Sequence, residues 1–327
     1  MKEYDFIEYI SRKRRQSPAQ LNKAFEADAE IVLLNGSLWA FTVDEFSAEE
    51  DSFIHEDSRV IGWNLAVATL SDLFACGIKP GFFMQTLLRS IADRDIFYKK
   101  LTDGVLEVLD ACDCFLLGGD TGSAANWRYS GIAFGEVRHN AVTRVVGQRE
   151  KQDIWITGAC GDANAALLRG ADIPRFELRL DEADIIGEFA SACTDTSGGF
   201  CDAVWSLRKV NPFLEFKIDI DMIPFAPDLL KCDLPPEMGL IGGAGEYELL
   251  LLAPEYRADE FKNHPAFTWI GSACPTVSVC SEVSFFRNGA AAGEMRQPPP
   301  CYRSCLKTDY LKVTAEYYER SFKKRKR

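Results

Sequence analysis

The stretch Asp57-Ser-Arg-Val-Ile-Gly-Trp-Asn-Leu-Ala-Val-Ala-Thr-Leu-Ser-Asp72-Leu-Phe-Ala-Cys-Gly77-Ile-Lys-Pro80 decides how the rest of the chain is arranged. Asp57 or Ser58 supplies an N-cap, and Gly77 followed by Pro80 supplies a stop, so the spacing predicts one helix between them. Val60, Ile61, Trp63, Leu65, Val67, Leu70, Leu73 and Phe74 make that helix apolar on nearly every face. A helix of this kind is buried within a fold, not laid on its surface. Asp72 stands near its end. A carboxylate there must be hydrogen-bonded, paired with a cation, bound to a metal or turned to water at the last turn, because an isolated buried charge is too costly.

On the N-terminal side, Tyr4, Phe6, Ile7 and Ile10 have helical spacing and predict an opening amphipathic helix. Two apolar runs follow, within Phe25 to Leu34 and Ser37 to Asp44, separated by Asn35-Gly36, a strong hairpin signal. Asp28 opens this hairpin and Asp44 closes it, so antiparallel pairing brings the two carboxylates near each other; taken singly, each is an ordinary turn former. An acidic loop (Glu45, Glu49, Glu50, Asp51, Glu56) leads to the buried helix.

Beyond Pro80 the pattern predicts a strand over 81–88, a helix over 93–111 and a short strand from Cys114 to Leu117. That strand runs into Gly118-Gly119-Asp120-Thr121-Gly122, which reads as a loop whose backbone N–H groups can approach an anion. A strand over 130–137 completes the first half, and the polar segment 144–152 marks a domain boundary. In the second half a strand over 153–158 precedes a helix opening at Gly161-Asp162. A helix over 182–192 precedes Thr194-Asp195-Thr196-Ser197-Gly198-Gly199, a Ser/Gly-rich turn entering a further helix and suited to an anion. Gly242-Gly243-Ala244-Gly245-Glu246-Tyr247-Glu248 feeds a strand over 249–252. From Gln297 onward the expectation is an irregular tail with one short helix over 310–318.

At 327 residues the chain suits two domains, and 47% hydrophobic with 26% charged residues describes an ordinary globular protein. A net charge of −12 argues against nucleic acid as the main partner. The basic runs Arg12-Lys-Arg-Arg15 and Lys323-Lys-Arg-Lys-Arg327 read as solvated ends. No apolar run spans a membrane and no signal-peptide core opens the chain, so the expectation is a cytoplasmic protein without membrane contact. Eleven cysteines, with no C-x-x-C pair and Cys112/Cys114 and Cys301/Cys305 the nearest neighbours, suggest buried free thiols in a reducing compartment.

The order of these pieces resembles the superfamily that includes thiamine-monophosphate kinase, aminoimidazole ribonucleotide synthase and selenophosphate synthetase, over about residues 4 to 290, with thiamine-monophosphate kinase the nearest in pattern. The residues carrying the resemblance are Gly62-Trp63, Ala66-Val67, Leu70-Ser71-Asp72-Leu73, Gly77 and Pro80; Thr42-Val43-Asp44; Gly118-Gly119-Asp120-Thr121; and Thr157-Gly158 with Gly161-Asp162-Ala163. The resemblance implies a two-domain α/β fold. Residues 1–146 would bind ATP and Mg²⁺ and pair with a second copy through a shared barrel; residues 147–327 would bind substrate and phosphate. It further implies Asp28, Asp44, Asp72 and Asp120 as Mg²⁺ ligands, and Thr42, Gly118, Gly119, Thr121, Gly161 and Asp162 at the nucleotide. Asp195 and Ser197 would serve catalysis on a small phosphorylated metabolite.

The chain departs from the family pattern at Ala27 and Gly198, each standing where the family has an aspartate, and at Glu246, one methylene longer than the family's residue. Fewer carboxylates hold fewer Mg²⁺ ions. The resulting expectation is an ATP- and Mg²⁺-dependent phosphotransferase, with a changed acceptor admitted. The alternatives are ATP-dependent carbonyl activation of the aminoimidazole-ribonucleotide-synthase type, and a degenerate nucleotide-binding subunit without catalysis.

Overall fold

The computed structural model describes residues 3–49, 51, 55–242, 245–277, 282–300 and 307–323. Glu50, Gly243, Ala244, the Cys301/Cys305 pair and the basic end 324–327 lie outside the described residues. The first half runs α1 (Glu3–Lys13), β1 (Glu30–Leu34), β2 (Ser37–Ser47), α2 (Ser58–Ala75), β3 (Phe82–Ser90), α3 (Asp95–Ala111), β4 (Phe115–Ala124) and β5 (Arg128–Glu136). The second half begins β6 (Gln152–Thr157), α4 (Asp162–Arg169), α5 (Leu180–Phe189), β7 (Ala192–Asp195), α6 (Phe200–Val210) and β8 (Leu214–Asp219). It ends with β9 (Leu249–Pro254), α7 (Ala258–Lys262), β10 (Phe267–Pro275), β11 (Val283–Arg287), β12 (Ala290–Met295) and α8 (Lys307–Ser321).

The strands form two sheets, a five-stranded one in the order β1-β2-β5-β3-β4 and a seven-stranded one in the order β12-β11-β8-β10-β6-β9-β7. The β1–β2 hairpin closes at Asn35 and Gly36, both left-handed (φ 49° and 92°), as a two-residue turn of the twist-matching kind requires. It sets Leu34 opposite Ser37 and Glu30 opposite Phe41.

α2 is the predicted buried helix. The Asp57 side chain accepts the Arg59 N–H at 3.2 Å to cap it, and Gly77 (φ 70°) ends it. Leu65, Ala66, Val67, Leu70 and Leu73 have no more than 1% of their surface exposed, so the helix is covered on all sides. It lies on the inner face of the five-stranded sheet against β2 and β5, beside α3, and against β7, β9 and α5 of the other half. One apolar core therefore contains residues of both sheets, from Phe83 and Ala133 to Cys193, Leu249 and Leu251.

Two close backbone approaches fix that packing. A Cβ on Gly62 would strike the Leu101 carbonyl and one on Gly104 the Arg59 carbonyl, so α2 and α3 touch backbone to backbone. Where α2 ends, a Cβ on Gly187 of α5 would meet the Gly77 carbonyl at 2.6 Å, and one on Gly77 would meet the Gly187 backbone in turn.

The outer face of the five-stranded sheet is apolar. Phe41 stands opposite Phe134, Phe134 opposite Phe82 and Phe82 opposite Phe115, a row across four strands. The rings of Phe41 and Phe82 each lie 5.4 Å from that of Phe134, and Val43, Phe115 and Leu117 are exposed.

One sequence expectation is corrected. Residues 118–122 are not a loop but the middle of β4, paired in parallel with β3 from Phe82–Phe115 to Ser90–Ala124. Gly119 has no side chain because a Cβ there would meet the Gln85 carbonyl of the neighbouring strand. The helix expected over 310–318 is present as α8, longer at Lys307–Ser321, with Tyr310, Tyr317 and the adjoining Phe322 in buried positions. Among the described residues, no helix is long and apolar enough to cross a membrane, and eight cysteines are free, six of them buried.

Gly104→Ala should lower stability by about 1–3 kcal/mol, since inserting a methyl into a filled helix contact forces the backbones apart. Urea unfolding followed by circular dichroism measures it; an unchanged midpoint would contradict the close α2–α3 approach.

Candidate active site

Three carboxylates from distant parts of the chain converge where α2 meets both sheets. Asp28, Asp72 and Asp195 each place a carboxylate oxygen within 4.8 Å of the others. Asp28 lies just before β1, Asp72 on the last turn of α2 and Asp195 at the end of β7. Asp44, on β2, is a fourth negative charge acting on Asp72. The hairpin thus delivers Asp28 and Asp44 from its open end, and the buried helix delivers Asp72 to meet them.

Asp72 accepts a hydrogen bond from the Thr42 hydroxyl. Its carboxyl is pushed well above the usual carboxylate range, first by burial and then by the charges of Asp44, Asp195 and Asp28. Asp195 accepts the Ser71 hydroxyl at 2.5 Å and the Ser197 hydroxyl at 2.7 Å. Burial, followed by the charge of Asp28, raises its pKa to about 6 against the pull of those hydroxyls. Asp28 is held differently. Arg144 clamps it with Nη2 at 2.5 Å from Oδ1 and Nε at 3.2 Å from Oδ2, and the Thr194 hydroxyl donates to Oδ1 at 2.9 Å.

A second polar centre adjoins this one through Thr196, whose hydroxyl accepts the Glu248 N–H at 2.9 Å. Glu248 takes a two-pronged bond from Arg179 at 2.6 and 2.7 Å and the Thr157 hydroxyl at 2.5 Å. Glu246 accepts the Gly161 N–H at 2.9 Å, and burial raises its pKa to about 8. The Gly161 N–H at the head of α4 is thus already donated to a side chain. Asp162 beside it is half-buried, its carboxyl raised by burial and by the charge of Asp228.

Not every residue singled out in the sequence joins the cluster. Asp44 stands opposite Gly131, Gly131 opposite Gln85 and Gln85 opposite Gly119, so Asp120 lies three strands away, about 14 Å at the usual strand spacing. It also points to the other face, because it follows Gly119 on the strand and side chains alternate. Its carboxylate accepts the N–H of Thr121 at 2.9 Å, and the Thr121 hydroxyl donates to the Leu87 carbonyl at 3.1 Å. Gly118, Gly119, Asp120 and Thr121 are therefore away from Asp28, Asp72 and Asp195 within one chain. At Gly198, a Cβ would lie 2.6 Å from an Asp202 carboxylate oxygen, so a side chain there requires Asp202, in the first turn of α6, to turn aside.

The residue that sequence reasoning missed is Arg144, placed at the start of a polar boundary segment. Its signal was the flanking pattern Ala141-Val142-Thr143-Arg144-Val145-Val146, more apolar than a linker. The strap is tied in by Val142 N–H to the Cys76 carbonyl at 3.0 Å and by Cys193 N–H to the Thr143 carbonyl at 3.0 Å.

The chemistry of this donor set fits a hard divalent cation. Asp72 and Asp195 are oxygen donors crowded with like charge, and the hydrogen-bond donors that reach them, three hydroxyls and the Ser197 N–H, carry no net charge.

Residues 26–137, which hold the buried helix α2 and two carboxylates of the cluster, match the family described as AIR synthase related protein, N-terminal domain. The chain is similar to proteins named thiamine-monophosphate kinase. It is 29% identical to the thiamine-monophosphate kinase of Archaeoglobus fulgidus over 77% of this chain and 86% of that one. With the enzyme of the same name from Methanocaldococcus jannaschii it shares 26% identity over 83% of this chain and 93% of that one. Among solved structures, AaThiL complexed with AMPPCP and TMP matches with a TM-score of 0.74 at 20% identity, over 88% of this chain and 93% of that one. The hydrogenase maturation protein HypE matches with a TM-score of 0.66 at 16% identity, over 86% of this chain and 94% of that one.

Stability of the ion-free protein should fall as pH rises from about 4 through about 6. Asp195 titrates at about 6 in the folded chain against ~4 for an unfolded carboxylate, so the native state binds more protons across that window, and the upward shift of Asp72 acts in the same direction. Adding Mg²⁺ at pH 8 should recover the loss. Thermal unfolding at several pH values, with and without Mg²⁺ and repeated for Asp72→Asn, measures this; an equal pH slope in the variant would contradict the assignment.

Proposed function

We propose that this chain is a Mg²⁺- and ATP-dependent small-molecule kinase of the thiamine-monophosphate kinase type, acting on a small phosphorylated metabolite. The observation carrying this reading is the convergence of Asp28, Asp72 and Asp195, with Asp44 beside them, at the end of the helix that joins the two sheets. The relatives named thiamine-monophosphate kinase, and the AMPPCP and TMP bound by AaThiL, support the same direction.

In this reading Asp72, Asp195 and Asp44 hold Mg²⁺, which when bound offsets the negative charge of the triphosphate. Phosphoryl transfer asks little covalent chemistry of a protein and much positioning. Ser71 and Ser197 fix the Asp195 carboxylate from two sides, and Thr42 does the same for Asp72. Each donor is a short side chain on a packed element, so the carboxylates are oriented before substrate arrives. The strand carrying Asp120 supplies no ligand from the same chain.

The apolar outer face of the five-stranded sheet is read as the surface on which a second copy docks. A row of four phenylalanines with exposed Val43 and Leu117 beside it is the composition of an interface core, not of a solvated surface. Sedimentation should give a dimer for the native chain and a monomer for Phe134→Asp; a native monomer at micromolar concentration would remove this part of the proposal.

The enzymatic reading is tested by ADP release and product analysis with Mg²⁺, ATP and a panel of phosphorylated acceptors that includes thiamine monophosphate. Asp72→Asn and Asp195→Asn should each lower turnover by about 100-fold or more, with folding checked by circular dichroism. Native-level turnover in either variant, or ADP released without a phosphorylated acceptor, would overturn it.

A further inference from the structure

We propose that Arg144 is a built-in countercation of the acidic cluster, its guanidinium taking the place beside Asp28 that a second divalent ion would otherwise fill. The proposal rests on reading the cluster as a divalent-cation site, and it concerns how many ions that site takes.

Both oxygens of Asp28 are committed to the clamp described above, and the Asp28 side chain is only 2% exposed against 19% for Arg144. A paired fork of this kind satisfies a carboxylate in geometry and in charge. The arginine is not free to drift. Its N–H donates to the Glu26 carbonyl at 2.7 Å, its own carbonyl accepts the Asn211 side chain at 2.7 Å, and Nε lies 3.0 Å from the Thr194 hydroxyl. Asp72 and Asp195, by contrast, take hydrogen bonds from neutral donors, the Thr42, Ser71 and Ser197 hydroxyls and the Ser197 N–H, and feel the Arg144 charge only from beyond contact. Among the described residues a cation therefore touches Asp28, and none touches Asp72 or Asp195, where an ion would find its oxygens.

A second observation points the same way. Residue 27, directly beside Asp28, is Ala27, where the resemblance places a second aspartate. Two adjacent carboxylates would exceed the charge of one guanidinium and call for a metal. With alanine there, a single negative charge remains, and a single arginine matches it.

The test is Mn²⁺ binding to the full chain without nucleotide, by calorimetry with electron paramagnetic resonance, since carboxylate sites take Mn²⁺ as they take Mg²⁺. Arg144→Gln should bind about one more Mn²⁺ per chain than the native protein, and Arg144→Gln combined with Asp28→Asn should lose that gain. Arg144→Lys, which keeps the charge, should hold the native stoichiometry. Unchanged stoichiometry in Arg144→Gln, or loss of an ion the native chain binds, would overturn the proposal. If Arg144→Gln does not fold, Asp28→Asn alone decides: native stoichiometry supports a carboxylate already matched by arginine, and a lost ion refutes it. Gain of the extra ion without any ATP turnover would sustain this inference and sink the kinase reading; turnover without the gain would do the reverse.

Discussion

Carboxylates gathered away from water repel one another and lose hydration together, and the architecture of this chain is arranged around that cost. Asp28, Asp72 and Asp195 approach within 4.8 Å only because α2 is packed between the two sheets, so that its last turn, the hairpin opening and the end of β7 share one small volume. The arrangement tolerates the repulsion in three ways. Hydroxyls from Thr42, Ser71 and Ser197 satisfy lone pairs, Arg144 neutralises Asp28, and raised proton affinity at Asp72 and Asp195 absorbs what is left. The last of these is a provisional solution, available to a cation as readily as to a proton.

The second polar centre follows a different rule. Glu248 is matched by Arg179 and directly precedes β9, a strand buried along its whole length, so its charge is answered within the protein. Through Thr196 it steadies the turn that follows Asp195. One centre is thus closed on itself and holds the backbone, while its neighbour keeps unspent charge.

Much of this was legible before any coordinates. The N-cap, the stop and the unbroken apolar surface of α2 fixed a buried helix, and Asn35-Gly36 fixed a hairpin, because local chemistry allows little else. Asp28, Asp44 and Asp72 followed from those two elements. Asp195 was reached only through resemblance, since nothing local distinguishes a strand-end aspartate that meets a helix more than a hundred residues earlier. Gly118–Gly122 misled for a physical reason: glycine signals either a turn or a close backbone approach, and Gly119 is the second kind. Asp120 was carried away with it, to the opposite face. The strands β8 and β10 to β12 went unread although Leu214, Phe216 and Ile218 alternate plainly, and Arg144 was hidden by its polar neighbours.

The junction of Gly77 with Gly187 has its own consequence for how such a sequence can vary. There the two halves meet with nothing between them but peptide, so the separation is already the thickness of the backbone. A methyl group arriving at either position cannot be accommodated by trimming the other, which has nothing left to remove. Drift at this seam is closed in both directions, and any related chain carrying a larger residue at one position must have set its halves further apart.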